Sequence, residues 1–89
     1  MGVVLSGYLE VPDEDIKTVT DHLPDHIRLT LAERGCLAFS VRADPENPNI
    51  YLVDEEFSDR STFDAHQARV KASDWGRVTA HLSRKYKIS

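Results

Sequence analysis

Residues Gly35 to Phe57 read GCLAFSVRADPENPNIYLVDEEF, and this stretch decides the fold. Cys36 to Arg42 alternates: Leu37, Phe39 and Val41 fall on one parity, and the small residues Cys36, Ala38 and Ser40 on the other. Ile50 to Phe57 alternates again, with Tyr51, Val53, Glu55 and Phe57 opposite Leu52, Asp54 and Glu56. Period-two patterning with β-branched and aromatic residues predicts two strands. Asp44 to Asn49, with Pro45 and Pro48, predicts the turn between them. Large residues on one face and small ones on the other predict a strand covered on both sides.

Outward from the hairpin, the signals become helical. Toward the N-terminus, Ile16, Val19, Leu23, Ile27 and Leu31 draw one apolar stripe. Asp13 is placed to cap that helix. Pro24 predicts a kink or short break near Asp21 to Leu23, and Gly35 a left-handed helix stop. Val3 to Val11 reads as a first strand, with Gly7 marking a bulge or a close approach. Toward the C-terminus, Asp59 or Ser61 opens a helix whose stripe holds Phe63, His66 and Val70. Trp75, Val78, Ala80 and Leu82 suggest another short helix, and Tyr86 to Ile88 a closing strand.

The order is strand, helix, strand, strand, helix, strand. It predicts an α+β class, ferredoxin-like βαββαβ sandwich, with an antiparallel sheet and helices on one face. A single domain over residues 1–89 is expected, since 89 residues suffice for one and no more. The uncovered sheet face needs a partner, and a homodimer in which two sheets pair supplies one.

Composition excludes several function classes. A net charge of -4 gives no basic surplus for phosphate backbones, so nucleic acid is not an expected partner. No run approaches the ~18 apolar residues of a membrane span. The one cysteine, Cys36, allows no internal disulfide. No signal peptide is apparent, so a cytoplasmic location is expected. His22 and His26 stand four apart, a spacing that can share a metal ion. A third ligand is not evident, and no metal is expected.

Gly35-Cys36-Leu37, Asp44-Pro45, Glu55 to Phe57, and Asp59 with Phe63 and His66 together resemble the antibiotic biosynthesis monooxygenase family. That family includes the small YgiN-like quinol oxygenases. Leu23 to Cys36, LPDHIRLTLAERGC, also fits, although Glu33-Arg34-Gly35 stands where the family usually has glutamate-proline-glycine. The resemblance spans roughly the whole chain. It implies a dimeric α/β-barrel and oxidation of anthrones or quinols by molecular oxygen without metal, flavin or other cofactor. The protein would deprotonate the substrate, stabilise its anion and exclude water.

His66 is the expected catalytic base, since an imidazole on an apolar stripe can take a phenolic proton near neutral pH. The competing account is a core histidine held by one hydrogen bond, with Glu55 as its partner. Glu55 matches the family's recurrent glutamate and is expected to support His66; a salt bridge to Arg42 is its alternative role. His26, Tyr51, Phe63 and Trp75 are the expected substrate-binding residues, with packing as the competing account for Tyr51 and Trp75. Arg69 can pair with an anionic oxygen, with a solvated helix face as the favoured account. A dimeric small-molecule-binding domain without chemistry is the alternative function. A heme-degrading branch of the family is a weaker fit: Ser6 or Gly7 stands at its asparagine position, His66 at its tryptophan, and only His81 imitates its ligand.

Overall fold

A computed structural model describes residues 2–89. Strand β1 (Val3–Glu10) leads through a 3-10 turn (Asp13–Asp15) into helix α1 (Ile16–Leu31). Strands β2 (Cys36–Asp44) and β3 (Asn47–Phe57) form the hairpin. Helices α2 (Arg60–Lys71) and α3 (Asp74–Thr79) follow, and β4 (Arg84–Ile88) closes the sheet. The sheet order is β2-β3-β1-β4, every pair antiparallel. This is the ferredoxin-like α+β arrangement that the element order predicts.

The core lies between one sheet face and the helices. Val3, Leu5 and Leu9 of β1 point into it, and so do Tyr51, Val53, Glu55 and Phe57 of β3. The alternation of β3 is therefore as read. In β2 it is not. Cys36 pairs with Phe57 and Ala38 with Glu56, so Leu37 is an extra residue in a β-bulge. The bulge leaves Leu37 61% exposed and lets Cys36 and Phe39 both pack on the core, though they are three positions apart. Simple alternation had put Leu37 with Phe39 and Cys36 opposite.

The hairpin turn is also tighter than expected. Asp44 pairs with Asn47, leaving only Pro45 and Glu46 at the tip. Asp44 accepts from the Glu46 N–H at 2.9 Å, and Asn47 from the Asn49 N–H at 3.0 Å. These local bonds allow the chain to turn two residues before the prolines end.

Helix α1 runs through Pro24 without interruption, so no break forms there. Its buried residues are Val19, His26 and Thr30, with Ile16 and Leu23 half-buried. The apolar stripe thus turns polar in its last two turns, and Leu31 is 55% exposed. Asp13 caps no helix; its carboxylate accepts from the Asn49 side chain at 2.8 Å. Gly35 is left-handed (φ 83) but lies past the helix end, in the turn into β2. A side chain there would overlap Thr62. Gly7 marks a close approach, since a Cβ on it would overlap the Lys85 carbonyl of β4.

Asp59 caps α2 by accepting from the Thr62 N–H at 2.8 Å. Ser73 caps α3 in the same way, accepting from Gly76 at 3.1 Å. Strand β4 begins at Arg84, two residues earlier than its sequence suggests. Among the described residues, no helix is long and apolar enough to cross a membrane.

Candidate active site

Capped at Asp59, α2 lays Phe63 and His66 against the sheet, each 2% exposed. Phe63 meets Phe57 edge-on, with ring centroids 5.9 Å apart. One step along both elements, His66 faces Glu55, which is 7% exposed. The nearest partner of His66 comes from elsewhere. Its Nδ1 lies 2.6 Å from Glu33 Oε2, in the turn after α1. A carboxylate can only accept, so Nδ1 carries the hydrogen. Arg69, one helical turn on from His66, donates to the same Glu33 oxygen at 3.1 Å and to Thr30 at 3.0 Å. Arg69 is therefore part of the site rather than a solvated cation.

With Nδ1–H committed to Glu33, Nε2 faces Glu55 Oε1 at 3.6 Å, beyond hydrogen-bond length. Glu55 Oε1 is buried without any hydrogen-bond partner in the protein. Burial opposes the charged imidazolium, but Glu55 and Glu33 together outweigh it and hold the His66 pKa above its ordinary value. Arg42, the alternative partner for Glu55, instead pairs with Asp54 at 3.2 Å on the other sheet face.

Beside His66 and Glu55 lies a cavity of about 180 Å³. His66, Glu55, His26 and Trp75 line it, and so do Arg84 and Tyr86 of β4. His26 stacks flat on Trp75, with centroids 4.6 Å apart and planes 5° from parallel, and meets Phe39 edge-on at 5.2 Å. Burial, helped by the charges of His66 and Arg69, lowers the His26 pKa to about 3, so His26 is neutral. Its Nδ1 is a second buried atom without a partner. Burial of the Tyr86 hydroxyl pushes its pKa up, although the residue as a whole is 39% exposed at the sheet edge. The hydroxyl therefore remains a hydrogen-bond donor.

Of the residues singled out from sequence, four share this cavity. Tyr51 and Phe63 do not line it; both side chains belong to the apolar core. Glu33, Arg84 and Tyr86 are additions. Arg84 and Tyr86 share a parity in β4, a pattern visible only once that strand is begun at Arg84. His22 bonds the Thr18 carbonyl at 2.8 Å and His81 pairs with Asp15 at 3.0 Å, so neither joins the site. Among the described residues, no group of three His, Cys, Asp or Glu side chains is placed to hold a metal ion.

Comparison with solved structures shows the same fold. A conserved protein from Methanosarcina mazei Go1 superposes with a TM-score of 0.80 at 22% identity, covering 100% of this chain and 91% of that one. A protein from Nitrosomonas europaea described as a candidate antibiotic biosynthesis monooxygenase gives 0.82 at 18%, covering 99% and 88%. One from Deinococcus radiodurans with the same description gives 0.78 at 19%, covering 98% and 89%. No curated protein matches. Residues 2–77 match the family described as antibiotic biosynthesis monooxygenase. The chain belongs to the antibiotic biosynthesis monooxygenase family.

Proposed function

We propose that this protein is a cofactor-independent monooxygenase that oxidises an electron-rich aromatic substrate, of the quinol or anthrone type, with molecular oxygen. The observation that carries the reading is the cluster of buried, unpartnered polar atoms around His66: Glu55 Oε1, His26 Nδ1 and Arg69 Nε. An unsatisfied buried polar atom costs about 1–3 kcal/mol. Glu55 Oε1 and His26 Nδ1 are both in this state, on residues that line the cavity. A bound hydroxyl would relieve that cost.

In this reading, neutral His66 presents Nε2 to the cavity because Nδ1–H is held by Glu33. Nε2 takes the phenolic or enolic proton, and the imidazolium so formed is flanked by Glu33 and Glu55, which is why its proton affinity is high. Arg69 neutralises Glu33 and keeps it from taking the proton itself. The Tyr86 hydroxyl donates to the substrate anion, and the Trp75–His26 stack offers a flat wall for its rings. For an anthrone, the methylene carbon gives up two hydrogens and gains one oxygen atom, and the second oxygen leaves as water. The cavity lies below the ~300–1,000 Å³ of most ligand pockets, which favours one or two rings over three.

Two copies of the chain form the working unit in this reading. The face opposite the helices carries Val4, 41% exposed, with Tyr8, Ile50 and Leu52 half-buried. Pairing of two such faces would cover them, and light scattering at micromolar concentration is expected to give twice the protomer mass. We place the activity in the cytoplasm, where the free, half-buried thiol of Cys36 stays reduced. Oxygen uptake with a panel of metal-free quinols and anthrones tests the reading. Turnover that His66→Ala abolishes is expected; equal turnover by wild type and variant would rule it out, leaving a binding domain without chemistry.

A further inference from the structure

We infer that the substrate carries an anionic group, a carboxylate or sulfonate, and that a cationic groove at the mouth of the His66 cavity receives it. This rests on the reading above only in that the aromatic end occupies the cavity. A second concavity, of about 760 Å³, adjoins the first. Gln67, Val70 and Arg84 line both, so the two spaces meet at Arg84. The outer space adds Lys71 and Arg77, with Asp74 as its one acidic residue.

The distribution of charge singles this place out. The chain has a net charge of -4, yet six of its eleven basic residues lie between Arg69 and Lys87. Of its fifteen acidic residues, Asp74 alone falls there. Around the outer space itself, the cations Lys71, Arg77 and Arg84 face one carboxylate, Asp74, which pairs with Arg77 at 3.6 Å, so a net cationic mouth stands on a chain of net negative charge. Arg84 is aimed as well as charged. One of its terminal nitrogens donates to the Thr79 carbonyl at 2.8 Å, at the end of α3, which fixes the guanidinium between inner and outer space. Its remaining donors match the fork of a carboxylate or sulfonate. Arg69, by contrast, turns one terminal nitrogen to Glu33 and Thr30 and keeps its Nε buried, away from the outer space. A ligand with its hydroxyl at His66 and its acid at Arg84 would lie along the line where the two spaces join.

Two naphthols of the same shape test this: 6-hydroxy-2-naphthoate and its neutral amide. Each is titrated into the isotopically labelled protein and followed by NMR. The acid is expected to bind at least about tenfold more tightly than the amide at low salt, and the advantage to shrink as salt screens it. Resonances of His66 and Trp75 should move with both compounds, which locates the ring in the cavity. Arg84→Gln combined with Lys71→Gln should lower acid affinity at least about tenfold and erase the advantage over the amide. Equal affinity for acid and amide overturns the proposal. So does a preference that survives the double substitution, or binding that leaves His66 and Trp75 unmoved. An acid preference without oxygen uptake by any quinol upholds the anion site and removes the oxygenase.

Discussion

Phe57 and Phe63 make one contact between β3 and α2; Glu55 and His66 make the next. The two pairs sit on the same two elements and are almost equally buried, at 0% and 2% against 7% and 2%. The phenylalanines meet edge-on and want nothing more. The glutamate and histidine meet at 3.6 Å and leave a carboxylate oxygen unsatisfied. Equal depth thus conceals opposite energetics. The first pair holds the sheet to the helix, and the second weakens that hold and leaves an unsatisfied carboxylate oxygen next to His66.

The widest separation between the pairs should appear on truncation. Phe63→Ala is expected to cost about 3–5 kcal/mol, a large part of the stability of a domain this small, and to be read as a steep fall in the urea midpoint. The double replacement Glu55→Leu with His66→Leu should leave that midpoint unchanged or raise it, because a buried polar pair is often no better than apolar residues of like volume. Oxygen uptake should move the other way, with His66→Gln losing at least ~10²-fold in kcat/KM. A folded, fully active double variant would collapse the distinction.

Much of this contrast is legible in the sequence. The parity of β3 puts Glu55 among Tyr51, Val53 and Phe57, and the three-residue step from Phe63 puts His66 on the same stripe. Both signals are local. Glu33 is not, because it reaches His66 across a turn whose course depends on left-handed Gly35. Nor does alternation reveal the Leu37 bulge, which exists only as a register shift against β3. In α1, hydropathy favours Ile27 and Leu31 for burial, yet His26 and Thr30 take those places. Their neighbours Trp75 and Arg69 are tertiary, and no spacing announces them.

Acidity should sharpen the contrast between the two buried histidines. His26 folds neutral, with its pKa lowered to about 3, whereas the unfolded chain protonates it below about 6.5. Its contribution therefore turns against folding as the pH falls from about 6.5 toward 3. His66 has its pKa raised, so its contribution is complete below the ordinary histidine value and fades as the pH climbs through the raised one. Urea midpoints measured across pH should show His26→Gln flattening the acid limb and His66→Gln flattening the limb above it. In the proposed reaction the base is neutral His66, so kcat/KM should rise with pH through that raised value. Glu33→Gln should move the rise to lower pH, since one of the carboxylates holding the proton is gone.

The smallest effect should fall on both pairs alike. Asp59 starts the helix that carries Phe63 and His66. Asp59→Ala should cost about 1 kcal/mol by thermal denaturation, and leave kcat/KM unchanged well below the transition. A change in turnover at constant fold would mean that the cap sets the His66 position as well as the helix.

Among the described residues, strand β4 has one hydrogen-bonded neighbour, β1, and its outer edge is open. Three of its five residues, Arg84, Lys85 and Lys87, are cationic. Charges of one sign along an unpaired edge repel a second edge, and so discourage the strand addition that leads to aggregation. Arg84 thereby has two occupations, drawing an acid to the cavity and keeping a stranger's backbone away. Engineering this protein toward neutral substrates by removing that charge would carry a hidden cost in solubility, payable only at high concentration.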